Sequence, residues 1–400
     1  MEQNNNFSSN PDVISMVEVG IPSQENTGGD GGGNKPKKKK RIWLRVMIVV
    51  LILVLILGIA AGIIVYKAYN WVGEELDLMN HVKLNEKELC IDPKVDKDLK
   101  NYRNILIMGI DKRKGEDIEI CRSDAMIVLS INKKTGTVKM VSVVRDSFLL
   151  IDEKDEMVID KLTHAHAYGG PINTIRAINR NLDLNIREFI RIDWQTVADT
   201  VDNLGGLTLN IHKGEIKEMN KYIKDTNESL EGSKKKITKA GRQKLNGVQV
   251  VTYCRIRKND GDEQRASRYR TAMVAALKKA RKAGFKKIDK TADTVLPQIT
   301  TNITSVSMRQ LLIDHYDIKI DDSKGWPYTW DGAQIDGVWY DVPITLRSND
   351  IDLHKDIYRQ KKYKPSDTVE EINQMIIDRS GYDENQPVQY TNPQKKKKKK

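Results

Sequence analysis

The most restrictive feature of this sequence is an uninterrupted apolar segment near its N-terminus. Residues 46–66 read VMIVVLILVLILGIAAGIIVY and contain no charged side chain. A helix of this length extends about 31 Å, which matches a bilayer core of about 30 Å. Trp43 and Tyr66 stand at its two edges, where aromatic rings favour the membrane interface. The segment predicts a transmembrane helix, and an uncleaved anchor is favoured because no A-x-A-like cleavage site follows it.

The positive charge of the chain is concentrated at its two ends. The formal net charge is +12, and Lys35, Lys37–Lys40, Arg41, Arg45 and Lys395–Lys400 carry more than this whole excess. The cluster before the apolar segment predicts a cytoplasmic N-terminus, with everything after residue 67 outside the cell. A nucleic-acid-binding domain carries its positive excess on the folded body. We therefore expect a lipid bilayer and no nucleic acid as a partner.

Composition and patterning divide the chain into five segments. Residues 1–45 are polar, Gly- and Asn-rich and end in the basic cluster, which predicts a disordered cytoplasmic tail. Residues 46–66 are the membrane span and 67–100 a juxtamembrane linker. We expect the extracytoplasmic catalytic domain at 101–385 and a flexible Lys-rich tail at 386–400.

Strands and helices alternate after residue 101. The predicted strands cover 104–109, 124–131, 137–144, 186–192, 207–211 and a β-rich run at 248–257, with 124–144 forming a hairpin. The predicted helices cover 171–182, 194–204, 239–245, 262–282, 307–314 and 368–378. This order predicts an α/β fold of α+β character, in which helices flank a mixed central β-sheet, preceded by one N-terminal transmembrane helix.

Charged side chains cluster at the ends of the predicted strands. The clusters are Asp111 with Arg113, Arg122 with Asp124, Arg145 with Asp146, and a last group of Arg255, Arg257, Arg265, Arg268 and Arg270. Loops of open α/β sheets gather at one edge, which would bring several guanidinium groups and a few carboxylates together. Guanidinium binds phosphate oxygens bidentately, and Mg²⁺ favours carboxylates and phosphates. The pattern indicates phosphoryl-transfer chemistry, with a set of surface salt bridges as the alternative.

Local spacing places some of these side chains relative to one another. In the strand expected at 248–257, Arg255 and Arg257 would point to one face. Arg265 and Arg268 are three apart on a helix and therefore neighbours. Cys121 and Cys254 could form a disulfide if their strands are adjacent. The pair His164 and His166 is expected to serve packing or hydrogen bonding rather than metal binding.

Seven short segments together carry a family resemblance. They are 104–111, 122–124, 144–146, 160–170, 201–206, 245–247 and 253–257. In this order, behind one apolar N-terminal segment, they resemble the LytR-CpsA-Psr (LCP) family domain, with the similarity running from about residue 103 to 285 and more weakly to 385. The resemblance implies an enzyme in the cell membrane of a Gram-positive-type envelope. Such an enzyme moves a glycopolymer (a teichoic acid, or a capsular or wall polysaccharide) from a polyprenyl-pyrophosphate carrier to peptidoglycan. It forms a phosphodiester and releases polyprenyl phosphate, with the polyprenyl tail in an apolar channel between sheet and helices.

The resemblance also implies roles for individual residues. Asp111 and Asp124 are expected to hold Mg²⁺, or in its place Mn²⁺. The residues expected to bind pyrophosphate are Arg113, Arg122, Arg145, Arg255, Arg257, Arg265, Arg268 and Lys161. The residues expected to be catalytic are Arg122, Arg145, Arg255, Arg257 and Asp146. Either Asp146 or Asp124 would accept the acceptor hydroxyl proton. Lys161 either contacts phosphate or pairs with Asp160, and Tyr269 is a packing residue.

Three other functions compete with the transferase. A non-catalytic protein that binds wall polymer or lipid pyrophosphate would use the same arginines without turnover. A pyrophosphatase would use water as the acceptor. A membrane-bound transcriptional attenuator would need its folded domain in the cytoplasm, against the predicted topology.

Overall fold

A computed structural model describes residues 68–113, 115–230, 235–256, 262–314, 319–383, 385 and 390–391. The strands are β1 (Asn80–His81), β2 (Tyr102–Ile110), β3 (Ser123–Asn132), β4 (Thr137–Val143), β5 (Phe148–Glu153), β6 (Glu156–Lys161), β7 (Glu188–Asp193), β8 (Leu207–Ile211), β9 (Gly241–Leu245), β10 (Thr300–Thr301), β11 (Lys319–Trp326), β12 (Thr329–Ile335), β13 (Val338–Pro343) and β14 (Tyr390–Thr391). The helices are α1, described over residues 68–76, α2 (Pro93–Asp98), α3 (Leu162–Leu182), α4 (Trp194–Asn203), α5 (Lys213–Ser229), α6 (Gly247–Cys254), α7 (Asp262–Arg281), α8 (Phe285–Val295), α9 (Ser305–Asp314), α10 (Leu346–Ile357) and α11 (Asp367–Ser380).

The predicted membrane span at 46–66 lies outside the described residues. Within those ranges, none of the helices has the length and apolar character needed to cross a bilayer.

A seven-stranded mixed sheet forms the centre of the fold, in the order β1-β10-β7-β2-β3-β4-β11. Strands β2, β3 and β4 are antiparallel neighbours, which confirms the predicted hairpin. Strand β7 runs parallel to β2, and β11 runs parallel to β4. The predicted mixed α/β architecture is therefore confirmed.

Helices cover both faces of this sheet because its strands alternate their apolar side chains. Leu106 and Met108 of β2 join an apolar layer with α3, α10 and α11, whereas Ile107 faces α4, α6 and α7 on the other side. The α4–α6–α7 side carries the charged strand ends discussed below.

The folded body begins before residue 101, the predicted boundary. His81 of β1 pairs with Thr301 of β10, so part of the segment predicted as a linker completes the central sheet. In α1, the Trp71 indole Nε1 donates to Asp289 Oδ1 at 2.9 Å, and its ring lies 4.7 Å from that of Phe285. This packing could not be predicted, because the strands involved are only two residues long and the partners of Trp71 are distant in the sequence.

Two predicted elements between residues 239 and 257 have the opposite secondary structure. Residues 241–245 form β9, paired with β8, instead of a helix. Residues 247–254 form α6 instead of a strand. Asn246 begins α6 with a capping box, in which it accepts the N–H of Gln249 at 2.8 Å and Gln249 Oε1 accepts the N–H of Asn246 at 3.0 Å. The valines of this segment suggested a strand, but the cap and burial on all sides favour the helix.

Helix α3 begins nine residues earlier than predicted, at Leu162. Gly169 and Gly170 interrupt it with non-helical backbone angles, and Gly170 has φ of 62°. A left-handed residue of this kind favours glycine. Because the helix starts early, His164 and His166 lie on its first turns rather than on a strand.

Candidate active site

The ends of β2, β3 and β4 meet at one edge of the central sheet, where α7 packs over them. The N–H of Asp111, just after β2, donates to the carbonyl of Arg122, just before β3, at 3.1 Å. Arg145 and Asp146 directly follow β4. The predicted convergence of strand-end charges is thus observed for these segments.

Arg145 lies at the centre of the cluster. Its Nη1 donates to Asp124 Oδ1 at 2.7 Å, and its Nη2 lies 3.4 Å from Asp146 Oδ2. Only 15% of the Arg145 side chain and 5% of the Asp124 side chain are exposed. A guanidinium this well shielded interacts strongly with its carboxylate, because little water screens the pair.

Lys161, at the end of β6, extends the cluster. Its Nζ lies 3.4 Å from Asp146 Oδ1 and 5.6 Å from the centre of the Tyr340 ring. The Lys161 side chain does not pair with Asp160, one of its two predicted partners; only its backbone N–H donates to Asp160, at 2.7 Å. Asp146 therefore bridges Arg145 and Lys161.

Arg265 of α7 closes the cluster from the helix side. It is 2% exposed and, with Asp124, Arg145 and Tyr269, lines a cavity of about 10 Å³. This volume is too small for a phosphate group, and the Arg145 guanidinium that borders it contacts the Asp124 carboxylate. Burial raises the pKa of Tyr269 above its usual range, which keeps its hydroxyl protonated and agrees with a packing role.

Asp111 reaches the same side of the sheet through an aromatic pair. The Trp194 Nε1 of α4 donates to Asp111 Oδ1 at 3.1 Å. The Trp194 ring packs 5.7 Å from that of Tyr269, which borders Asp124 and Arg145. Asp111 and Asp124 thus flank one aromatic pair on neighbouring strands. Trp194 was not singled out as a site residue from the sequence, because its partner is 83 positions away.

Other predicted arginines lie apart from the cluster in this structure. Arg268 Nε is 3.3 Å from Glu215 Oε1 of α5, and Arg255 Nη1 donates to Thr226 Oγ1 at 3.3 Å. Arg255 caps a helix, so the predicted strand alternation with Arg257 is wrong, and Arg257 itself lies outside the described residues. Arg113 and Arg122 are exposed, and neither forms an ion pair with another residue in the described ranges.

A histidine–carboxylate pair next to Lys161 was not predicted as part of the site. His164 Nδ1 lies 2.6 Å from Asp160 Oδ2, and the Tyr340 hydroxyl donates to Asp160 Oδ1 at 3.2 Å. Although burial acts to raise the pKa of Asp160, hydrogen bonds from His164 and the Lys161 N–H lower it below its usual value. Asp160 is thus held ionised and fixes the backbone from which Lys161 extends. The one feature of the sequence that could have suggested this pair is the separation of Asp160 and His164 by four residues.

The cysteines do not form the disulfide considered from the sequence. Cys90, Cys121 and Cys254 are all free, and the last two are buried. Cys254 lies on α6 rather than on a strand, so the premise of adjacent strands fails.

Two carboxylates of the cluster could contribute to a cation site. Within the described residues, no group of three or more His, Cys, Asp or Glu side chains could hold a metal ion alone. Mg²⁺ commonly binds one or two carboxylates and completes its shell with substrate phosphates and water. In this structure the two expected metal ligands contact other groups: Asp111 accepts a hydrogen bond from Trp194, and Asp124 accepts one from Arg145.

His166, beneath the Arg122 loop, makes stability depend on pH. Burial lowers the pKa of His166 to about 4, and its Nδ1 contacts the Cys121 carbonyl at 2.7 Å. The unfolded chain, with an ordinary value of about 6.5, binds more protons between pH 6.5 and 4, so stability falls as the pH falls through this window. We expect a loss of about 3 kcal/mol from this group. Burial also lowers the pKa of His354, so this residue likewise makes the protein less stable as the pH falls.

Urea unfolding at a series of pH values tests this prediction. His166→Gln should flatten the decline between pH 6.5 and 4 and leave the part due to His354. An unchanged slope in this variant would show that His166 is not the group responsible.

The fold and the cluster define an α/β domain with a shielded guanidinium–carboxylate cluster at one edge of its central sheet. The sequence pattern of the LytR_cpsA_psr family matches residues 66–386. The chain therefore belongs to the LytR-CpsA-Psr family, as its ordered segments predicted.

Similarity to individual proteins agrees with this family. The polyisoprenyl-teichoic acid–peptidoglycan teichoic acid transferase TagU of Bacillus subtilis is 30% identical over 284 residues, covering 69% of this chain and 82% of TagU. The solved structure of protein gbs0355 from Streptococcus agalactiae is 25% identical with a TM-score of 0.53, covering 69% of this chain and 92% of that one. The crystal structure of B. subtilis TagT shares the fold at 23% identity and a TM-score of 0.50, over 67% of this chain and 94% of TagT.

Proposed function

We propose that this protein is a phosphotransferase that moves a glycopolymer from a polyprenyl-pyrophosphate carrier to peptidoglycan. The observation that carries the proposal is the shielded cluster in which Arg145 lies between Asp124 and Asp146, with Arg265 and Lys161 beside it. The related B. subtilis TagU is named for such a transfer of teichoic acid to peptidoglycan. Residues 46–66 would anchor the chain, with the catalytic domain on the outer face of the membrane.

In the proposed reaction, a sugar hydroxyl of peptidoglycan attacks the phosphorus that is bonded to the glycopolymer. A new P–O bond forms, the P–O bond to polyprenyl phosphate breaks, and polyprenyl phosphate leaves with the bonding electron pair. Arg145 and Arg265 would stabilise the charge on the non-bridging oxygens, since guanidinium groups in a shielded site need no reorganisation during the reaction. Lys161 would neutralise the departing phosphate.

Substrate binding would exchange one contact of Arg145 for another. Asp124 now occupies the guanidinium face that a phosphate oxygen would take, at 2.7 Å. Asp124, released from Arg145, would with Asp111 hold Mg²⁺, which supplies positive charge to the phosphates when it is bound. Asp146 is the better proton acceptor of the two candidates, because 14% of its side chain is exposed against 5% for Asp124.

The apolar layer under α4, α6 and α7 supports the lipid part of the proposal. Ile127 and Met140 of the sheet face Val250 and Ala272 of the helices there. Trp194 and Tyr269 lie between this layer and the charged cluster. A pyrophosphate at the cluster would therefore have its polyprenyl chain directed toward apolar side chains.

A transfer assay with the full-length chain in detergent tests the proposal. Radiolabelled polyprenyl-pyrophosphate glycan, peptidoglycan fragments and Mg²⁺ should yield label on peptidoglycan. Asp124→Asn should reduce transfer at least about 100-fold, since it removes a charged group of the site. The exposed Asp336→Asn, which loses only its surface contact to Arg379, is the matched control and should retain transfer.

Other results of the same assay would identify a competing function. Tight binding of the lipid-linked glycan without transfer would indicate the non-catalytic binding protein. Phosphate release with water as acceptor would indicate a pyrophosphatase. A separate experiment on whole cells addresses the attenuator: protease digestion of the folded domain only after membrane permeabilisation would place it in the cytoplasm and favour this function.

A further inference from the structure

A second basic surface lies on α7, on the helix face away from Arg265. It is a groove of about 730 Å³ between α7, β8 and β11. Five cationic residues line it: Arg242, Arg270, Lys278, Lys279 and Lys282. Among the described residues of its lining there is no Asp or Glu. Arg270, which the sequence places in the same group of charges as Arg265, borders this groove and not the cavity at Arg145.

The cations form a row rather than a point. Arg270 and Lys278 lie eight residues apart in α7, about 12 Å along its axis, and Lys282 follows the last residue of the helix. The Arg270 side chain is only 3% exposed, so the accessible cations are the other four. Small side chains, Val274 and Ala275, form the wall between them. A row of this length suits an extended chain with repeated negative charges better than a single small anion.

The position of these charges is not explained by helix stability alone. Lys278 and Lys279 lie in the last turn of α7, where they interact favourably with the helix dipole. Arg242 lies on β9, away from any helix end, so this benefit does not apply to it. Bringing them into one groove costs repulsion between like charges, which an anionic ligand would offset.

We propose that this groove binds the phosphodiester backbone of a polyanionic glycopolymer. The inference rests on the proposed function, since the chain bound here would be the polymer part of the lipid-linked donor. Arg270 follows Arg265 by five residues, about 7.5 Å along the helix axis. The pyrophosphate end at Arg265 and the polymer chain in the groove would therefore lie on two sides of one helix segment.

Equilibrium binding of a lipid-free poly(glycerol phosphate) chain of defined length tests this inference. The full-length protein in detergent is titrated at several NaCl concentrations. We expect Arg242→Glu/Lys278→Glu to weaken binding at least about 10-fold. It should also make the slope of log K against log[NaCl] shallower by about 0.7 for each lost phosphate contact. Lys133→Glu/Lys134→Glu, an exposed pair in the β3–β4 turn with the same charge change, should bind like wild type.

A second measurement separates this inference from the proposed function. A donor that carries only the pyrophosphate-linked sugar should be transferred equally by wild type and the groove variant, whereas a long-chain donor should show a raised KM in the variant. Polymer binding does not require transfer, so it tests the groove even if the protein is not a transferase. Equal polymer affinity of the groove and control variants would overturn the inference. The inference would also be overturned if the substitutions weakened binding of phosphatidylglycerol vesicles or inorganic phosphate but left polymer binding unchanged.

Discussion

Arg145→Ala is expected to abolish measurable glycopolymer transfer. The Arg145 guanidinium contacts both Asp124 and Asp146, at 2.7 and 3.4 Å. Removing one preorganised donor from a shielded site typically lowers kcat by about 10²–10³. The transfer assay described above measures this loss, and near-normal transfer by the variant would exclude Arg145 from the phosphate clamp.

Two further variants distinguish catalysis from folding. Loss of Arg145 leaves Asp124 without this partner at 5% exposure, which we expect to cost about 3 kcal/mol of stability. Arg145→Ala/Asp124→Asn should regain most of that stability, because an amide is less costly to bury than a carboxylate, and yet remain inactive. Arg379→Ala removes an arginine whose side chain is 48% exposed and pairs with Asp336 on the surface, so transfer should be unchanged.

Gly247→Ala is expected to cause the largest loss of stability for one added methyl group. A Cβ at this position would lie 2.3 Å from the carbonyl oxygen of Ala198 and 2.7 Å from its Cα. Both atoms belong to the backbone of α4, so the crossing of α4 and α6 must widen. Overpacking of this kind costs about 3 kcal/mol, which urea unfolding would measure. Transfer should fall as well, because α4 carries Trp194, the hydrogen-bond donor to Asp111.

Gly214→Ala is the matched control for that substitution. Gly214 also lies in the first turn of a helix, α5, but no atom lies within 4 Å of its added Cβ. Alanine should stabilise the protein by about 0.5 kcal/mol through its higher helix propensity and lower unfolded-state entropy. Equal stabilities for the two alanine variants would show that the α4–α6 contact is looser than described.

Several elements could be predicted because their signals are local. In β2, β3 and β4 the apolar runs are bounded by turn residues, and the two-sided burial of these strands matches that pattern. Helix α4 is stopped by Gly205 and Gly206, both with positive φ. The members of the charged cluster Asp124, Arg145 and Asp146 could likewise be singled out from the sequence, because each stands beside a strand end.

Other elements depended on contacts that no local pattern reports. Residues 247–254 contain four β-branched side chains, and only the Asn246 cap together with burial between α4 and α7 makes them helical. Whether Lys161 would contact Asp146 could not be predicted, since its partner is set by the packing of β6 against the end of β4. Arg265 and Arg270 lie on different faces of α7, so Arg265 borders the cluster and Arg270 borders the basic groove. Which face would meet which site depends on how the helix packs.

The sequence by itself determined the family, the mixed sheet and the strand-end positions of the charged residues, because hydrophobic period and motif order act over short distances. Only the tertiary structure decided which of these charges meet. Arg145, Asp124, Asp146, Lys161 and Arg265 come from four separate elements, and their approach depends on how α7 and β6 pack against the sheet edge. Several residues of the same charge could pair with each of these side chains, and the packing of distant segments decides which of them does. The local sequence around each residue does not indicate that choice.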